Sequence, residues 1–147
     1  MTAIVSQVEV EASQDEAFAY VTDPARFSEW QQNVTRGQMD AGHTGVGSIC
    51  STTRRIGGAE RDVTSKVTKH KPPTSWAVHG IDGPVRAAVD VTVEPLTDPN
   101  RSRVTISLDF EGHGIGKLLV PLLVRPQSRK EMQRNMARLK TRLDDLD

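Results

Sequence analysis

Residues 85–94 read Val85-Arg86-Ala87-Ala88-Val89-Asp90-Val91-Thr92-Val93-Glu94, and residues 103–111 read Arg103-Val104-Thr105-Ile106-Ser107-Leu108-Asp109-Phe110-Glu111. Both stretches alternate with a period of two. In the first, Val85, Ala87, Val89, Val91 and Val93 oppose Arg86, Asp90, Thr92 and Glu94; in the second, Val104, Ile106, Leu108 and Phe110 oppose Arg103, Thr105, Ser107, Asp109 and Glu111. Successive side chains of a strand point to opposite faces, so the pattern predicts two strands that share one dry face and one wet face. The short break Asp98-Pro99-Asn100 between them suits an antiparallel connection rather than a crossover.

A dry sheet face needs a cover, and the C-terminal stretch supplies one. Met132, Met136, Leu139 and Leu143 recur at i, i+4, i+7 and i+11, the spacing of a narrow apolar stripe on a helix. Arg134, Arg138, Lys140 and Arg142 lie between them as a solvated face. The main helix is therefore placed at about Pro126 to Asp145. A helical turn over Ile115 to Val124 is expected to precede it, bending at Pro121 and again near Pro126, where backbone hydrogen bonds are lost.

Upstream, Ile4 to Glu11 alternates apolar and polar residues and reads as a further strand. Ser13 followed by Gln14-Asp15-Glu16 has the spacing of a capping box, which predicts a short helix burying Ala17, Phe18 and Val21. Asp23-Pro24 ends that helix and opens another, about Pro24 to Gln31, with Phe27 and Trp30 on one face. Turn residues at Asp40-Ala41-Gly42, Gly57-Gly58, Pro72-Pro73 and Asp82-Gly83-Pro84 divide the middle into the strands Val34–Met39, Gly47–Arg54, Arg61–His70 and Ser75–Gly80. The order is strand, two short helices, six strands, long helix. It indicates an α+β fold of one domain spanning residues 1–147.

Composition narrows the function. Hydrophobic residues make up 36% and charged residues 26%, the balance of a globular chain. Nineteen basic residues offset nineteen acidic ones, and no basic stripe with interleaved aromatics stands out, which argues against nucleic acid as a partner. The single cysteine, Cys50, permits no intrachain disulfide and suits a reducing compartment. No signal-peptide pattern opens the chain, and the longest apolar stretch, Leu118 to Val124, is broken by Pro121 and too short to span a bilayer. These features point to a cytoplasmic protein without an integral membrane segment; they leave its oligomeric state open.

The set of motifs resembles the START/Bet v 1-like (SRPBCC) superfamily, in particular its polyketide cyclase/dehydrase-like branch. The resemblance rests on Ser13-Gln14-Asp15-Glu16-Ala17-Phe18, Val21-Thr22-Asp23-Pro24 and Phe27-Ser28-Glu29-Trp30. It continues in Val67-Thr68-Lys69-His70-Lys71-Pro72-Pro73, Gly83-Pro84-Val85, and Gly114-Ile115-Gly116-Lys117-Leu118-Leu119 with Pro121, Arg125 and the terminal helix. It implies a helix-grip fold, a curved seven-stranded antiparallel sheet wrapped round the long C-terminal helix with a cavity between them. Members bind lipids, sterols, polyketides or other apolar molecules, and a minority catalyse cyclisation or dehydration; one fold hosts all of these.

The leading expectation is a cavity for a small hydrophobic or amphipathic ligand, with a polyketide cyclase or dehydratase as the alternative. The dry face carries small residues and the chain is only 4% aromatic, so a curved sheet could leave space. The expected lining is Phe27, Trp30, Met39, Trp76, Val85, Ala87, Val89, Leu118, Leu122 and Met132, with access near His113 to Pro121. The opposing reading is that flexible Met132 and Met136 fill the gap. His113, at the expected mouth, is the histidine to watch; His43 and His70 read as solvated turn residues, and His79 faces outward if Trp76 and Val78 face in. Arg54 and Arg55 point to opposite faces, and burial statistics favour an exposed hairpin end for both. An inward guanidinium would need a carboxylate or an anionic ligand. Cys50, expected mid-strand, reads as a small hydrophobe. No zinc-type spacing and no phosphate loop is present, so neither a metal nor another cofactor is expected.

Overall fold

Seven strands form one antiparallel sheet in the order β1-β7-β6-β5-β4-β3-β2, so the chain runs as a meander whose last strand returns beside its first. The strands in this computed structural model are β1 Ile4–Val10, β2 Val34–Met39, β3 Ile49–Ile56, β4 Ala59–Lys71, β5 Ser75–Gly80, β6 Val85–Pro95 and β7 Ser102–Gly112. The structure describes residues 3–39, 45–56 and 58–146, without the side chains at 56, 118, 119, 122 and 123. The expected turn at Asp40-Ala41-Gly42 and His43 lie outside the described residues.

The alternation that predicts β6 and β7 appears as continuous register. Val93 faces Val104, Val91 faces Ile106, Val89 faces Leu108 and Ala87 faces Phe110. The short helices follow their caps. Ser13 Oγ accepts from the Glu16 amide at 3.2 Å while Glu16 Oε1 accepts from the Ser13 amide at 3.4 Å, opening α1 (Gln14–Val21). Asp23 Oδ1 accepts from the Ala25 amide at 3.0 Å. The expected second helix resolves into a 3-10 turn, Pro24–Arg26, and one α-helical turn, α2 (Phe27–Trp30).

The C-terminal cover differs from expectation in one respect. A short α3 (Gly116–Leu119) passes into a π-helical stretch, Val120–Val124, which leads directly into α4 (Arg125–Asp144). Proline removes a backbone donor, and the wider π turn accommodates that loss inside a helical path. The Met132, Met136, Leu139 and Leu143 stripe is buried against the sheet and the short helices. The core beneath it contains Val10, Phe18, Val21, Phe27, Trp30, Val67, Trp76, Val91, Val93, Val104 and Ile106.

Two close approaches fix where the cover meets the sheet. A Cβ on Gly112 would stand 2.5 Å from the Gly116 backbone, and one on Gly116 would collide with the Pro84 carbonyl. Beside them the His113 amide donates to Pro84 O at 2.8 Å. These bare glycines let the start of α3 lie directly on the β5–β6 turn.

Candidate functional site between sheet and helix

The inner face of the sheet changes character along its length. At one end, the facing pairs Val93/Val104 and Val91/Ile106 are buried. Moving along the same two strands, Val89, Ala87 and Val85 and their neighbours Leu108 and Phe110 are only half-buried. The register carries this end across to β4 and β3, where Val63 and Ser65 are also half-buried and lie opposite Thr52 and Cys50. Met39 of β2, opposite Cys50, is half-buried as well. On β6 and β7 the apolar inner face is thus sealed at one end and more exposed at the other, whereas Cys50 and Thr52 keep the β3 part of that second end buried.

The residues expected to line a cavity divide along this boundary. Phe27, Trp30, Trp76 and Met132 are buried. The Phe27 ring meets Trp30 at 5.9 Å and Trp76 at 6.3 Å, both edge to face. Met39, Val85, Ala87 and Val89 stand on the half-buried part of the face. Leu118 and Leu122 lie on the covering segment, with side chains outside the described residues. The Trp30 Nε1 donor is buried without a hydrogen-bond partner among the described residues.

His79 and His113 sit elsewhere. His113 Nε2 lies 2.8 Å from Glu111 Oε1, and His79 Nε2 lies 3.3 Å from Glu111 Oε2, so one carboxylate bridges both. Glu111 belongs to the outward parity of β7, and both histidine side chains are substantially exposed. His70 is half-buried on β4 opposite Trp76 rather than in a turn. Among the described residues no group of three or more His, Cys, Asp or Glu is placed to hold a metal ion.

Arg54 departs from the exposed hairpin end that burial statistics favour. It shares a face with Cys50 and Thr52, and its side chain turns in. Nε donates to Thr52 Oγ1 at 3.2 Å and Nη1 donates to Gln31 Oε1 at 3.2 Å. Desolvation lowers its pKa, opposed by the charges of Cys50 and Glu131. The signal was present in the sequence: Arg54 follows Thr52 by two residues and Cys50 by four along one strand, so the three share a face. Arg55 takes the outward side, 4.0 Å from Glu60. Cys50 is buried mid-strand, and burial lifts its thiol to about 11, which makes it a small hydrophobe rather than a nucleophile.

A buried cation anchors the cover. Arg125, at the start of α4, is buried and pairs through Nη2 with Asp109 Oδ1 near the end of β7. The Phe110 amide donates to Asp109 at 2.8 Å and, with Arg125, holds that carboxyl below its ordinary value despite partial desolvation. Two shallow clefts, of about 220 and 410 Å³, lie on the outward flank of α4 near Arg138 and Arg142, away from the inner face.

A curled seven-stranded antiparallel sheet gripping a C-terminal helix, with two short helices after β1, defines a helix-grip protein of the START type. The chain belongs to the family described as polyketide cyclase/dehydrase and lipid transport, whose pattern matches residues 1–144. No curated protein sequence matches it. Among solved structures it is similar to a START superfamily protein from Mycobacterium smegmatis, at 15% identity over the whole of both chains with a TM-score of 0.77. It is similar to the Zhui aromatase/cyclase from a Streptomyces species, at 13% identity over 97% of this chain and 93% of that one, TM-score 0.71. It also matches the di-domain ARO/CYC BexL at 18% identity and TM-score 0.70, covering 96% of this chain and 46% of that one. At such identities the likeness concerns the fold. Among the described residues no helix is long and apolar enough to cross a membrane.

Proposed function

We propose that the chain binds a small apolar or amphipathic molecule, lipid-like or polyketide-like, between the inner face of the sheet and the C-terminal helix. One observation carries this reading: a continuous apolar face that is sealed at Val91, Val93, Val104 and Ile106 and accessible at Val85, Ala87, Val89, Leu108 and Phe110. Leaving such a face in water is unfavourable by about 25 cal/mol per Å², and an apolar ligand relieves it. Access lies where α3 crosses from β7 toward α4, beside Pro84 and His113.

Two structural neighbours carry the description aromatase/cyclase, which raises catalysis in the same space. That chemistry needs a positioned acid or base. The described inner face near the open end offers the Cys50 thiol, the Ser65 and Thr52 hydroxyls and the Arg54 guanidinium, while His79 and His113 are engaged by Glu111 outside it. Binding is therefore the favoured reading.

Native mass spectrometry of the purified protein, followed by denaturation of the same sample, tests it. A co-purifying mass of a few hundred daltons that is released on denaturation is the expected result. A clean protein mass that stays unshifted through titration with lipids and aromatic polyketides refutes it.

A further inference from the structure

Across the β3–β4 ladder Arg54 lies directly opposite Arg61. Both have the parity of the inner face: Arg54 follows Cys50 and Thr52, and Arg61 precedes Val63, Ser65 and the buried Val67. Like charges directly opposed across a ladder destabilise it. Outward neighbours on the same strands are matched, as Thr53 Oγ1 donates to Asp62 at 2.8 Å and Arg55 pairs with Glu60. The inward pair is not. Arg54 is held by two neutral acceptors, Gln31 Oε1 and Thr52 Oγ1, and neither arginine forms an ion pair among the described residues. The carboxylate whose charge acts on Arg54, Glu131 of α4, forms no ion pair with it and accepts a hydrogen bond from Gln127 at 3.2 Å.

The register places these two cations at the accessible end of the apolar face. Arg61 precedes Val63 and Ser65 on β4, and Arg54 lies opposite it on β3, both beyond the point where β5 ends at Gly80 opposite Ser65. We infer that Arg54 and Arg61 form an anion subsite at the mouth of the grip, and that the ligand is an amphipathic molecule with an apolar body and one carboxylate-type head. The body covers the half-buried face; the head takes the guanidinium donors that Gln31 and Thr52 leave free. Gln31 and Thr52 orient the Arg54 fork without neutralising it, so the charge remains for the ligand. This inference rests on the proposed binding site and specifies what it selects.

The test compares decanoate with decan-1-ol, which share an apolar chain and differ in head charge, by titration calorimetry on the intact protein at neutral pH. Wild type should bind decanoate roughly tenfold to a hundredfold tighter than the alcohol, the scale of hydrogen bonds to a charged group. Arg54→Met should abolish that preference. Arg61→Gln, at an exposed position near the hairpin tip, should reduce the preference without altering the melting temperature. Equal affinities for the two probes in wild type, or a preference that survives in both variants, overturns the anion subsite and leaves the apolar cavity standing. Failure of both probes to bind wild type overturns the cavity and the subsite together.

Discussion

Replacing Asp109 with Asn removes the charge that holds the start of α4 to β7. The Arg125 side chain is 8% exposed and Asp109 44%, so the pair is buried on one side and wet on the other. Exposed pairs contribute about 0–1 kcal/mol and breaking a fully buried pair costs about 3–5 kcal/mol. With half of the pair screened by solvent, about 1–3 kcal/mol is expected. Unfolding 147 residues at about 2.1 cal/mol/K each gives an entropy of ~0.3 kcal/mol/K, so the melting temperature should fall by roughly 3–10 °C. The effect must depend on pH in a definite direction. The folded carboxyl titrates below its ordinary value of 3.8, so its stabilisation is complete above that value and fades as pH falls through the folded pKa. Scanning calorimetry of both proteins from neutral pH down to about pH 2 should show a gap that is full at neutrality and closes in acid. A gap below 1 °C at neutral pH, or one that persists unchanged in acid, refutes the account of the pair.

Two further substitutions probe the site's geometry. Ala87→Trp places a large ring on the half-buried inner face opposite Phe110 and should lower decanol affinity at least tenfold in the same calorimetric titration, without loss of the folded state by circular dichroism. Gly116→Ala drives a Cβ into the Pro84 carbonyl and should cost about 1–3 kcal/mol, read as a lower urea midpoint with unchanged slope.

Much of the architecture was legible because it rests on periods. Alternation in Val85–Glu94 and Arg103–Glu111 fixes both strands and their shared face, and β6 and β7 extend each by only a residue or so. The Met132, Met136, Leu139, Leu143 stripe likewise fixes α4 and its buried side. Caps at Ser13 and Asp23 announce themselves through local hydrogen bonding. The site was only partly legible. A residue's parity says which face it takes but not how closely the opposite layer approaches, so Trp76 and Val89 look alike in sequence although one is sealed and the other accessible. Arg54 shows the limit of composition-based burial: strand parity sends one of Arg54 and Arg55 inward without choosing between them, while the statistics of exposed arginine pointed outward for both. Pro121 illustrates a different gap, because a missing N–H fixes where helical bonding must change but not whether the chain bends or widens into a π turn.

Burial rises along both the helix and the sheet toward one end of the grip. Along α4, exposure falls from Met132 at 7% through Met136 at 2% to Leu139 and Leu143 at 0%, and along β6 it falls from half-buried Val89 through Val91 at 2% to Val93 at 0%. The two gradients run the same way in space, since Arg125 meets Asp109 and Glu131 influences Arg54 near the helix start, while Asp144 accepts from the Glu11 amide near its end. Such a gradient of burial separates two demands. Close packing at the buried end, where Leu139 and Leu143 meet the valine rows, gives the fold its stability and unique register. The more exposed end holds Ala87, Val85, Ser65 and Met39, side chains that are small or flexible. Larger residues at that end would add apolar burial to the fold and leave less room for the proposed ligand. Small side chains on the accessible face, beneath a cover clamped by bare glycines and the Arg125 pair, are what a site that receives a ligand requires.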